Sequence, residues 1–394
     1  MINYHRRSVV SIADIYVILY FLYKFSEMYI NTSMAAMITL LPMLAIAIYY
    51  FAKTILYANN TRYVNALIAF SLLLIVYGTV GWMFGQHHYH VKPISFLLST
   101  LTSIVPVTVF YYLGITGRLS AKQLRLYFFL FLFLSILQYF HYFSMRDIEI
   151  VSGVASERTN NAGYHFLSLF PLLLLFNKRP FIQYVLMAIM LYFIMSAMKR
   201  GAILISVFLL VWFFYQTVKD RSSRKWLTVI VILCFAVVLF HLVQSVWMTN
   251  DYFHARMEAT MEGDDNNRSL IYSSLWNYFI HHSNIFKVLF GVGAEGTVIV
   301  TNGLHAHNDW FELLIDCGLL GVSLYAYYFI CFYIESRKPN ARTLQSQLLT
   351  ACFIILFLRT FFSMSFMDMD LSIGVALGYG AALSKIELHN YCCR

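Results

Sequence analysis

The sequence predicts an all-α, polytopic membrane protein with about twelve transmembrane helices and one large loop on the outer side. Two observations carry that expectation. Of the 394 residues, 60% are apolar and only 12% are charged, with a mean hydropathy of +0.66, whereas soluble domains devote about a quarter of their residues to charge. Apolar runs also recur at lengths that cross a hydrocarbon core of about 30 Å. Because these runs are continuous and do not alternate in polarity, they exclude an outer-membrane barrel.

Candidate spans run over 10–30, 33–52, 63–84, 94–114, 123–143, 162–176, 181–197, 202–217, 226–248, 310–334, 348–366 and 371–383. The first has a basic start, but Asp14, Lys24 and Glu27 interrupt it and no small-residue cleavage site follows, so it reads as a retained helix. The sixth to eighth are short, and the pair flanking 177–180 can be read as a re-entrant hairpin, which preserves the sidedness of every later loop. With the N-terminus in the cytoplasm, Arg6, Arg7, Lys53, Arg62, Arg118, Lys122, Arg125, Lys178, Arg179, Lys219, Arg337 and Lys385 fall on one side. Excess Lys and Arg mark the cytoplasmic side, so both termini are expected there.

The formal charge of +9 resides in these short loops and reads as a topology signal rather than a nucleic-acid surface. Six cysteines are scattered without a disulfide or metal spacing. In the cluster His87-His88-Tyr89-His90, adjacent imidazoles point apart and no carboxylate follows, so no metal site is expected. The whole chain, 1–394, reads as one integral membrane domain.

One connection stands apart. Residues 249–308 are polar and far longer than ordinary connections, and long loops on a rigid scaffold tend to carry function. Within it, Ile271, Leu275, Trp276, Phe279 and Ile280 form one stripe of a helix expected to lie along the membrane surface. Gly291-Val-Gly293 then breaks the pattern.

At the end of this loop stands His305-Ala-His307-Asn308-Asp309-Trp310-Phe311-Glu312, followed by Asp316, Gly318 and Gly321. Imidazoles, an amide and carboxylates converge on a helix N-terminus, where unpaired amides present partial positive charge. That field and neighbouring arginines disfavour the imidazolium and keep His307 neutral, as a general base requires. A plainer reading makes Asp309 the helix cap, with Glu312 three positions on completing a capping-box pair.

The spacing His307-Asn308, nine residues, Gly318, two residues, Gly321 resembles the signature of the O-antigen ligase and polymerase superfamily, integral membrane glycosyltransferases acting on polyprenyl-diphosphate-linked saccharides. Lys199-Arg200-Gly201, Arg268-Ser-Leu-Ile with Gly291-Val-Gly293, and Arg158, Asn161 and Pro171 resemble further family segments. The first five spans match in hydropathy alone, and Asp316 stands where relatives often carry Glu.

The resemblance implies His307 as the catalytic base and Arg200 and Arg268 as diphosphate-binding residues, with Arg158 and Arg256 as weaker candidates. His305, Asn308, Asp309, Glu312, Gly318 and Gly321 support the site. Lys199 is expected to be an interfacial anchor. The donor implied is an undecaprenyl-diphosphate-linked oligosaccharide, the acceptor a saccharide or lipid A core. The large loop is then periplasmic and the location the bacterial inner membrane. No cofactor, metal or nucleic acid is called for; membrane lipids and a chain-length regulator are further candidate partners.

Guanidinium groups hold phosphate oxygens bidentately, which makes a metal-independent, inverting displacement sufficient in principle. Repeat-unit polymerisation of O-antigen or capsular polysaccharide is the leading expectation, and ligation to lipid A core the alternative. A flippase or other transporter is the rival from another class. It would place the essential groups among the intramembrane charges Asp14, Lys24, Asp316 and Arg359. Structural pairing is the expectation for these, Lys24 with Glu27 on one helix face.

Overall fold

The computed structural model describes residues 11–30, 33–57, 59–85, 92–151, 160–220, 268–337 and 343–392, with single residues at 233, 237, 240, 241, 244, 248 and 258. No strand occurs among them. In order, the helices are α1 (Ile12–Tyr29), α2 (Ser33–Ile55), α3 (Arg62–Phe84), α4 (Pro93–Ser103), α5 (Pro106–Ile115), α6 (Ala121–Val151), α7 (Ala162–Ser168), α8 (Phe170–Leu173), α9 (Pro180–Ser196), α10 (Arg200–Asp220), α11 (Arg268–His281), α12 (Ile285–Phe290), α13 (Gly296–Val300), α14 (Asp309–Ser336), α15 (Leu344–Arg359) and α16 (Leu371–Cys392).

Among the described residues, six helical stretches are long and apolar enough to cross a membrane: Met34–Ile55, Arg62–Phe84, Pro93–Ile115, Ala121–Asp147, Arg200–Lys219 and Asp309–Ser336. Shorter apolar helices cover Ala162–Phe176, Pro180–Ser196, Leu344–Arg359 and Leu371–Ile386. Several apolar helices of this kind mark a multi-pass membrane protein. Most of the expected span 226–248, the His87 to His90 cluster and the first part of the large loop lie outside the described residues. The expected span over 348–366 stops early, at Arg359. Its apolar continuation is a loop that folds beneath α14.

Local chemistry explains the element boundaries. Ser11 and Asp14 form a reciprocal capping box at the start of α1, and Asp14 also accepts from Tyr127 Oη at 2.5 Å. Lys24 Nζ meets Glu27 Oε2 at 2.9 Å one turn apart. All three charged residues of this first helix therefore have partners close by. Pro106 lacks an amide hydrogen and separates α4 from α5, so one span is built of two segments.

Helices α3 and α14 run antiparallel. Tyr63 packs on Phe332 at 4.7 Å and Phe70 on Tyr325 at 4.8 Å between ring centroids, while Tyr77 Oη, further along, donates to the Phe290 carbonyl at 2.6 Å. Helix α16 lies against α5 through small residues. A β-carbon built at Gly378 would stand 2.6 Å from the Val107 carbonyl oxygen, and Ala382 faces Gly114. Such close backbone approach is how helices pack where the surrounding lipid is as apolar as the side chains.

The feature that positions the outer segment is a break within α14. Gly318 has φ +65° and releases the carbonyls before it from helical bonding. The Ile315 carbonyl accepts from Val292 N at 2.7 Å and the Asp316 carbonyl from Gly293 N at 3.0 Å. Gly291, at φ +77°, brings the two backbones into contact. Asp316 Oδ1 accepts from Thr297 N and Oγ1 at 2.8 and 3.1 Å and so fixes the start of α13.

Helix α11 then closes over this junction. Leu275 is buried with Ala306 and Ile315, flanked by Ile271, Tyr272, Phe279, Val292 and Phe311. The sequence placed all five stripe residues on one membrane-facing surface. Ile271, Leu275 and Phe279 instead face protein, while Trp276 and Ile280 are each about half exposed.

A β-carbon at Gly318 would lie 2.5 Å from the Gly291 nitrogen, whereas one at Gly117, also at positive φ, meets nothing. Gly117→Ala is expected to lose only the left-handed backbone cost of about 1–2 kcal/mol. Gly318→Ala adds an overpacking cost of about 1–3 kcal/mol. Unfolding midpoints in detergent should rank wild type above Gly117→Ala above Gly318→Ala, and equal midpoints for the two variants would refute the backbone-contact role.

Candidate active site at the mouth of the broken helix

The outer end of α14 begins with an amide. Asn308, in extended conformation, accepts through Oδ1 from Trp310 N at 3.0 Å and Phe311 N at 3.3 Å, so it is the cap. The sequence reading that gave this role to Asp309 is corrected. Asp309 is wholly buried, accepting from Tyr325 Oη at 2.6 Å and Ser365 N at 2.8 Å, and its own amide donates to the Thr360 carbonyl. Glu312 is not its capping partner either: its Oε1 accepts from Ala306 N at 2.6 Å and thereby folds 305–307 back onto the helix.

The two histidines face different surroundings. His305 Nδ1 lies 3.4 Å from Glu312 Oε1. That carboxylate, with Glu295 and Asp316 further off, outweighs desolvation and raises the His305 pKa above its ordinary 6.5. His307 has φ +52°, a left-handed backbone turn. The residue is exposed, so a second molecule can reach it. Desolvation by the protein around it, then the positive charges of Arg268 and Lys199, lower its pKa below 6.5. Two imidazoles two residues apart are thus pushed in opposite directions, the pattern that separates an acid from a base.

The structure therefore places Arg268 and Lys199 within electrostatic range of His307. Arg268 opens α11, and its Nη2 donates to the Phe362 carbonyl at 3.3 Å. Lys199, expected as an interfacial anchor, also contributes to the field at the imidazole. Arg200 is half-buried at the start of α10, beside Gly201, whose α-carbon packs so tightly on Tyr164 Oη and Phe362 that a β-carbon would stand 2.3 and 2.8 Å from them. Gly318 and Gly321 shape the helix around Cys317 and lie below the mouth. Arg158 and Arg256 lie outside the described residues.

Sequence reasoning left one residue among structural charges that the fold brings to this end. Arg359 closes α15, is 1% exposed, and meets the Tyr164 ring at 4.6 Å. Its Nη2 donates to Asp368 Oδ2 at 3.0 Å, and Nη1 stands 4.0 Å from Asp370 Oδ2. Asp370 is held in addition by His165 Nδ1 at 2.5 Å and Ser168 Oγ at 2.8 Å. Arg359 thus ties both ends of the 360–370 loop together. The same loop carries Thr360, which accepts from Asp309 N and from Trp310 Nε1, as well as Phe362 beneath Arg268 and Ser365 on Asp309. The sequence signal was present: a lone arginine in an apolar run, followed after a few aromatics by Asp368-Met-Asp370.

An exposed neutral imidazole, two cations within its range and a capped helix mouth coincide with the motif residues. Residues 185–326 match the family model described as O-antigen ligase. The matched stretch takes in Lys199, Arg200, Arg268, His307, Asn308, Gly318 and Gly321, and it supports the O-antigen ligase and polymerase superfamily read from their spacing. That family is associated with membrane glycosyltransfer. No curated protein sequence matches the chain. Arg359 and the 360–370 loop lie beyond the matched stretch.

Two predictions follow from the electrostatics. In an NMR titration of labelled imidazoles, His307 should deprotonate below pH 6.5 and His305 above it. Glu312→Gln should bring His305 down towards His307, and midpoints in the reverse order would overturn the assignment. Arg359→Ala removes a buried cation from between Asp368, which is 70% exposed, and Asp370, which keeps His165 and Ser168, so the expected cost is about 1–3 kcal/mol, below the ~3–5 kcal/mol of a fully buried pair. Detergent-unfolding free energy should fall by roughly that amount, with Arg359→Lys recovering part of it; a loss under 1 kcal/mol, on the same scale as exposed pairs, would show the loop is held by other contacts.

Proposed function

We propose that the protein transfers a saccharide from an undecaprenyl-diphosphate-linked oligosaccharide at the periplasmic face of a bacterial inner membrane, and that it extends O-antigen or capsular polysaccharide by adding repeat units. The observation that carries this reading is the exposed His307, kept neutral by its surroundings and within range of Arg268 and Lys199. A neutral imidazole accepts a proton, and nearby cations suit a departing diphosphate.

In the proposed step, an acceptor hydroxyl attacks the anomeric carbon of the donor. His307 takes the hydroxyl proton as the new carbon–oxygen bond forms. The bond from the anomeric carbon to the diphosphate breaks with its electron pair on the lipid diphosphate, whose charge Arg268, Arg200 and Lys199 stabilise. Arg158 and Arg256 are further candidates for that role. Attack opposite the leaving group inverts the anomeric configuration in one displacement. General-base help contributes typically about 10²- to 10⁴-fold, and loss of one charge-stabilising donor costs about 10²- to 10³-fold.

His305 serves this scheme indirectly. It pairs with Glu312, the carboxylate that also accepts from Ala306 N and holds 305–307 against the helix. The membrane-centred alternative loses support from the same contacts. Asp14, Lys24, Asp316 and Arg359 each have a partner close by, as structural charges do. Transfer to lipid A core is the second reading, favoured by the description of the family that the central region matches.

Purified protein is to be supplied with a synthetic lipid-diphosphate repeat unit, with and without a lipid A core acceptor and with and without a chelator. A ladder of products without core supports polymerisation; a single core adduct supports ligation. His307→Ala should lower turnover by about 10²-fold or more, and Arg268→Ala should impair it more than Arg268→Lys. Wild-type turnover in His307→Ala would refute the base, and abolition by chelator would refute a metal-independent step.

A further inference from the structure

Helix α14 joins the candidate site to a second concavity at its other end, roughly 35 Å away at about 1.5 Å per residue. There α3, α14 and α16 enclose a cleft of about 400 Å³. Its position is fixed by the antiparallel pairing of Tyr63 with Phe332 and by Ser384 Oγ donating to Glu335. The cleft belongs to none of the site contacts described above.

Its lining divides into two chemistries. Tyr327, Ile330 and Ile334 recur every three or four residues along α14 and are 50%, 57% and 52% exposed. On a membrane-spanning helix that stripe faces acyl chains. Lining it as well are Arg62, at the start of α3, and Lys385, in the last third of α16. Neither cation has an ion-pair partner among the described residues.

Glu335, the one acidic lining residue, is 3% exposed and accepts from Ser384. Arg62 also opens α3. Thr61 Oγ1 accepts from Val64 N at 3.3 Å, and the amides of Arg62 and Tyr63 precede the first intrahelical donor. Cations and helix-end amides beside an apolar stripe match the layout of one molecule class: an anionic headgroup carried on acyl chains.

We propose that this cleft binds an anionic phospholipid, its phosphate between Arg62 and Lys385 and one acyl chain along Tyr327, Ile330 and Ile334. The basic helix ends Lys53, Arg118 and Arg337 lie on the same side of the bundle and favour the same leaflet. The site is independent of the glycosyltransfer reading and stands or falls without it.

The test is lipid retention. Full-length protein from nanodiscs of phosphatidylcholine with increasing phosphatidylglycerol is delipidated in detergent, and bound lipid is counted by native mass spectrometry. Wild type should keep one phosphatidylglycerol and discriminate against phosphatidylcholine. Arg62→Gln with Lys385→Gln should weaken retention by about fivefold per cation removed. Ile330→Trp, which fills the cleft without changing charge, should also displace the lipid. Lys53→Gln, at a cation that stacks on Tyr49 instead, should leave retention unchanged. Equal retention in wild type and the double variant, or no effect of Ile330→Trp, overturns the proposal. Displacement by millimolar inorganic phosphate would also overturn it, by assigning the site to a free anion.

Discussion

The outer half of this molecule depends on two carbonyl groups that a helix gives up. An uninterrupted α14 would bond Ile315 and Asp316 internally and offer the preceding chain only side chains. The break at Gly318 frees both carbonyls where burial makes an unmade hydrogen bond costly. Val292 and Gly293 supply the donors. The exchange requires backbone against backbone, and a side chain at 291 or 318 would occupy the same space. Once those bonds are made, α11 is fixed over the junction through Leu275, and Arg268 at its head comes into range of His307.

The charges around the mouth follow from the same fold. In a low-dielectric bundle an ionisable group is tolerated when another group answers it. Asp309 is answered by a hydroxyl and an amide, Asp316 by Thr297, and Arg359 by two aspartates. His305 is answered by Glu312. His307 differs because desolvation and the positive charges of Arg268 and Lys199 together outweigh the opposing charge of Glu312. Desolvation is the largest contribution to its lowered pKa, followed by the charges of Arg268 and Lys199.

Hydropathy identified the helical, multi-pass architecture because apolar runs of sufficient length have few other stable forms in lipid. It failed where an apolar run is not a span. The stretch Thr360-Phe361-Phe362-Ser363-Met364-Ser365-Phe366 reads as membrane helix, yet it folds into a loop because its carbonyls and amides find partners on α11 and α14, and Phe366 packs among Phe70, Phe96 and Tyr325. The motif residues could be named from spacing, but the roles of the glycines could not. Gly291 and Gly318 are distant in sequence and acquire meaning only as one contact. Asn308 and Asp309 are both good caps, and tertiary partners for Asp309 decide between them. Lys199 looked like an anchor because a basic residue beside a span usually is one.

The 360–370 loop shows why the machinery extends past the region that matches a known family. Residues 185–326 contain the imidazole and the cations near it. The elements that carry them rest on the loop: Arg268 on Phe362, Asp309 on Ser365, Trp310 on Thr360, and Gly201 on Phe362. A segment outside the matched region is therefore the common support of α10, α11 and α14. Arg359 closes that segment on itself through Asp368 and Asp370, and its ring contact with Tyr164 extends the support to α7. Four helices that are separate in sequence share one small loop. Relative positions at the mouth are accordingly set by a buried arginine that never reaches the surface where an acceptor would approach.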